Sequence, residues 1–149
     1  MASSHRSFSI GSLTAVAIAA TTGALIGFGH RLGGAGLPFA AIAASLLHRT
    51  TTTTDGELVA AGFAAHAVII SAWVLVFAWL VRVRGWRMPV AAIVIVALAH
   101  VLSWLFALWT GNGLSSVLPL GDRIVFAIVF AGALVVGIRL AFLFDGERR

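Results

Sequence analysis

The polar residues of this 149-residue chain are gathered into short clusters, and long apolar runs lie between them. Four runs, residues 8–28, 58–81, 89–109 and 124–144, each hold about the 20 apolar residues that a helix needs to cross roughly 30 Å of hydrocarbon. A fifth, 37–48, reaches only about 18 Å at 1.5 Å per residue, which suits an interfacial or re-entrant helix. The predicted fold is an all-α integral membrane bundle of four transmembrane helices plus this short helix, forming one domain over residues 1–149. A five-span reading, in which the short helix crosses, stays open. So does a cleavable leader, since the first run carries an Ala17-Ile18-Ala19 triplet; its continuation to Phe28 favours a retained span.

Turn chemistry sets the expected breaks. Gly33, Gly34 and Gly36 end the first helix and Pro38 opens the short one. Thr54 and Glu57 have capping-box spacing before the second span. Pro89 opens the third, and Asp122 is placed to cap the fourth.

Several spans also show a ribbon of small residues. Gly11, Ala15, Ala19, Gly23 and Gly27 recur at every fourth position of the first span. Ala99, Ser103 and Ala107 do so in the third, and Ala133, Gly137 and Ala141 in the fourth. Such ribbons let backbones approach closely where both surroundings are lipid-like. They serve either a tight monomeric bundle or docking onto partner subunits or a second copy.

Composition narrows the chemistry. Hydrophobic residues make up 60% of the chain and charged residues 10%, outside the range of ordinary soluble domains. The absence of Cys excludes disulfides, thiolate metal sites and iron–sulfur clusters. The absence of Lys excludes a retinal or pyridoxal Schiff base on this chain. All five acids lie outside the spans or at their ends, which argues against a carboxylate relay through the bilayer.

The net charge of +5 does not imply nucleic acid, because the arginines flank spans instead of forming one basic face. Seven arginines against three place the RVRGWR loop (82–87) and the C-terminus in the cytoplasm, in a multi-pass protein of the cell membrane. Trp79 and Trp86 near this loop, and Trp109 at the opposite boundary, fit an aromatic belt. Arg139 is close enough to the cytoplasmic boundary to snorkel to it.

Two ionisable residues lie deep in the spans. His66 is 16 residues beyond Arg82 and His100 is 13 beyond Arg87, depths of about 24 Å and 20 Å. Imidazoles at one level on adjacent helices suit bis-histidine haem b, or axial ligation of a chlorophyll-type pigment. Gly62 and Ala99 would then admit the ring, with Phe63, Trp73, Trp104 and Phe106 as its apolar wall. A histidine metal site formed by His48, His66 and His100, with His30 nearby in the four-span topology, is a further reading. The bland alternative is that each histidine hydrogen-bonds a neighbouring helix, with Ser71 and Ser103 at hand.

No nucleophile motif, H-E-x-x-H pair or phosphate-binding glycine loop accompanies them. The sequence therefore favours a non-enzymatic subunit or accessory protein of a larger membrane complex. The competing class is a small oligomeric transporter or channel for a neutral or anionic solute, supported by the broken LGGAGLPF segment.

Overall fold

The computed structural model describes residues 9–47, 55–111 and 113–146. They form six helices: α1 (Ile10–Arg31), α2 (Leu37–Leu46), α3 (Gly56–Arg82), α4 (Met88–Thr110), α5 (Leu114–Val117) and α6 (Leu120–Gly146). Four of these, α1, α3, α4 and the first 21 residues of α6, are long and apolar enough to cross a membrane. The protein is a multi-pass membrane bundle with a short helix at one end. α2 has 10 residues, about 15 Å of helix, which is half a hydrocarbon thickness.

Local chemistry explains most boundaries. The Ser9 side chain accepts the Ser12 N–H at the start of α1, at 3.3 Å. Asp55 caps α3 by accepting the Glu57 N–H at 3.1 Å, while Thr54 of the expected capping box lies outside the described residues. Pro38 and Pro89 sit in the first turns of α2 and α4, where a missing N–H costs nothing. Gly111, at φ 70°, takes the left-handed position that ends α4.

Asp122 departs from expectation. α6 starts at Leu120, so Asp122 lies inside the first turn, and its carboxylate pairs with Arg31 at the end of α1. The apolar run masks this earlier start, because Pro119 and Leu120 precede the continuous hydrophobic stretch. That ion pair joins the α1 terminus to the α6 start, and α2 and α5 pack at the same end. The turn after α3 closes the opposite, hairpin end.

Toward the hairpin end the described core is hydrocarbon: Leu13, Ile70, Val74, Phe77, Ile95 and Ile138 are buried together. At the other end α2 is enclosed, with every residue from Pro38 to Ser45 buried. Its backbone lies directly on α3. A Cβ on Gly62 would stand 1.8 Å from the Phe39 carbonyl oxygen. Gly62 therefore admits the α2 backbone, not a porphyrin, because the one bare position on that face of α3 is where another main chain settles first.

The small-residue ribbons part company. In α6, Ala133 and Gly137 are buried, and a Cβ on Gly137 would meet Leu13 at 2.7 Å. In α1, all five ribbon residues are exposed, and α1 packs inward through Leu13, Ala17, Thr21, Leu25 and Phe28. The bundle uses the α6 ribbon and leaves the α1 ribbon on its surface.

Candidate functional site

His66, buried to 3% exposure, lies in the middle of α3. Its Nε2 is 3.0 Å from the Thr21 hydroxyl of α1. The Thr21 hydroxyl is also 2.7 Å from the Ala17 carbonyl, one turn back in its own helix. With the one hydroxyl proton directed at that carbonyl, Thr21 accepts the Nε2–H of His66 in the tautomer protonated at Nε2. In the neutral ring this leaves Nδ1 as an acceptor for something else. The rings of Phe39 and Phe126 flank the imidazole, at 5.8 Å and 6.4 Å between centroids.

The partner is thus Thr21, and neither expected serine takes the role. The Ser71 hydroxyl bonds to the Ala67 carbonyl of its own helix, and Ser103 is exposed. Thr21 and His66 each lie ten residues from a helix end on the same side of the bundle, Arg31 and Gly56. Depth counting extended to hydroxyls on the first helix would have found the pair.

His66 and His100 line one cavity of about 370 Å³, formed by residues of α2, α3, α4, α5 and α6. Three helices contribute stripes at i, i+3, i+4 and i+7. These are His66, Ile69, Ile70 and Trp73 on α3; Val96, Ala99, His100 and Ser103 on α4; Arg123, Phe126, Ala127 and Phe130 on α6. His100 is exposed on the α4 side, so this wall faces both cavity and bilayer. Of the expected apolar wall, Trp73, Trp104 and Phe106 line the cavity. Phe63 does not; it is 45% exposed and stacks edge-on with Phe39 at 5.8 Å.

The metal reading gains no third ligand among the described residues. His48 lies outside the described residues and His30 is exposed in the last turn of α1. Among the described residues no three of His, Cys, Asp and Glu come together as a metal cluster.

Arg123 is the residue that sequence reasoning counted for topology alone. It lines the cavity, and its Nε is buried with no hydrogen-bond partner among the described residues. The adjacent acid, Asp122, is engaged by Arg31. The sequence signal was the stripe it shares with Phe126, Ala127 and Phe130, which puts Arg123 on the cavity-lining face of α6.

Compared with known proteins, the chain matches no family model, no curated protein and no solved structure.

Proposed function

We propose that this small polytopic membrane protein is a non-enzymatic subunit or accessory protein whose working part is the cavity shared by His66 and His100, which takes a lipophilic molecule from the bilayer. One observation carries this reading. Both intramembrane histidines line a single, mostly apolar and aromatic cavity of about 370 Å³, within the size range of small-molecule sites, which combine apolar walls with a few placed polar groups. The Thr21 hydrogen bond supports it by orienting the imidazole and leaving Nδ1 to meet a ligand. The exposed α1 ribbon is the surface offered to a partner helix or a second copy. The arginine distribution supports a cytoplasmic hairpin end, with the cavity in the opposite half of the bilayer.

A second reading has its own support. Two histidines on one cavity, one already hydrogen-bonded through Nε2 to a neighbour, resemble the ligand-plus-orienting-group arrangement of bound haem b or a chlorophyll-type pigment. The transporter reading has less, because its broken segment turns back onto α1: a Cβ on Gly29 would meet the Gly34 carbonyl oxygen at 2.6 Å, and residues 32–39 do not line the cavity.

The test is to purify the full chain from its native membrane in mild detergent, record an absorption spectrum before and after dithionite, and extract bound small molecules for mass spectrometry. A stoichiometric lipophilic molecule that is lost when Ala127→Phe fills the cavity is the expected result. A Soret band with reduced-state peaks selects haem, and near-infrared bands select a pigment. A preparation holding nothing above bulk lipid overturns the ligand-site reading. Stoichiometric partner chains support the subunit role, and a lone oligomer that moves solute in liposomes defeats it.

A further inference from the structure

The chemistry of the cavity wall narrows the ligand class. None of the described residues lining it is Asp or Glu, whereas Arg123 and two histidines are present. The Arg123 Nε is desolvated without a partner, and its neighbouring acid is committed to Arg31. A charged donor left so is unfavourable by more than an uncharged one, and a carboxylate or phosphate oxygen would satisfy it with a strong, charge-assisted bond.

Away from Arg123 the wall becomes hydrocarbon and aromatic. Phe130 lies seven residues further along α6, about 10 Å deeper, and Trp73 lies seven residues beyond His66 on α3. Ile69, Leu102 and Trp104 line the cavity and are also exposed, so a chain can enter sideways from the bilayer. The volume of about 370 Å³ is at the low end for small-molecule sites, a size that suits one hydrocarbon chain within the wall.

We infer that the cavity is a site for a single-chain amphiphile with an anionic head, the head on Arg123 and the tail running toward Trp73 and Phe130. This rests on the ligand-site reading above and adds the charge and chain number of the occupant. A fatty-acid carboxylate and a single-chain lysophospholipid phosphate share that chemistry.

The experiment uses the full chain in phosphatidylcholine nanodiscs at alkaline pH. Doxyl-labelled stearate and its methyl ester, identical in tail, are titrated while tryptophan fluorescence is read, since Trp73 and Trp104 line the cavity. The acid should quench saturably and bind at least about tenfold more tightly than the ester. Arg123→Gln should reduce the acid to the ester's affinity, and Arg123→Lys should keep most of the preference. Displacement by unlabelled palmitate identifies a carboxylate occupant, and stronger displacement by lysophosphatidate a phosphate one.

Equal affinity of acid and ester in the wild type overturns the anionic-head inference while leaving the ligand site standing. Absence of saturable quenching by either probe removes both. Displacement by inorganic phosphate as effective as by palmitate also overturns it, because the tail would then contribute nothing. Should Arg123→Gln fail to fold, the wild-type acid-to-ester ratio and Arg123→Lys still decide.

Discussion

The two halves of this bundle solve different problems. Toward the hairpin end, Leu13, Val74, Phe77, Ala91, Ile95 and Ile138 are buried to 0% exposure with no polar group among them. Toward the other end, α2, α5 and the ends of the long helices surround a cavity whose wall carries His66, His100, Arg123 and three serines. In lipid the unfolded helices are already in hydrocarbon, so association rests on van der Waals packing and a few polar contacts. The packed half supplies the larger of the two cores. The hollow half keeps a smaller core of Leu25, Phe28, Phe39, Ile42 and Leu118 and concentrates the polar chemistry beside it, which is the division expected of a scaffold holding a site.

The comparison is broken most severely by hollowing the packed half. Phe77 is fully buried at the centre of the larger core cluster. Phe77→Ala removes its dispersion contacts and leaves a void, and should cost about 3–5 kcal/mol, read as loss of thermal stability in detergent. If the loss were under about 1 kcal/mol, the close packing of that half would not be what holds the bundle together. Next in size is the contact that closes the hollow half. Gly62→Ala puts a Cβ 1.8 Å from a main-chain oxygen of α2, so α2 must lift away. A cost of about 3 kcal/mol, the top of the usual overpacking range, is expected, with increased proteolysis of the α1–α3 link.

A smaller effect isolates the polar pair. Thr21→Val keeps the shape and removes the hydroxyl partner of the His66 Nε2. Interhelical hydrogen bonds in membranes contribute about 1–2 kcal/mol at most, so the loss should stay within that range. The imidazole should also become free to turn, which nitrogen NMR of labelled histidine would report as a changed tautomer balance. An unchanged His66 signal would mean that Thr21 does not orient the ring.

Much of this contrast was legible in the chain and part of it was not. The four long helices follow from apolar run length, because each run holds about the 20 apolar residues that cross a bilayer. That His66 and His100 line one cavity agrees with counting residues inward from the loops. Short-range chemistry was less legible, since Asp55 stands beside Thr54 and either can cap a helix. The role of Gly62 was misread because a bare backbone position signals close approach without saying what approaches. The α1 ribbon and the α6 ribbon are equivalent as patterns, and only the packing of Leu13 against Gly137 separates the buried one from the exposed one. Arg123 was hidden by its position at a span boundary, where arginines ordinarily report topology.

The gentlest substitution tests the comparison from the opposite side. Ala127 lines the cavity on the same α6 stripe as Arg123 and Phe130. Adding side-chain volume to a close-packed interior is destabilising by about 1–3 kcal/mol, but the same addition beside a void gains contacts without displacing neighbours. Ala127→Phe should therefore change thermal stability by no more than about 0.5 kcal/mol in either direction, well below the usual overpacking cost. It should nevertheless abolish saturable quenching by the stearate probe. A marked destabilisation would mean that this half is packed as closely as the other. Unchanged binding would move the ligand away from the α6 wall. Stability and binding must separate in this variant, because a cavity kept for a ligand is the one part of a core that filling does not harm.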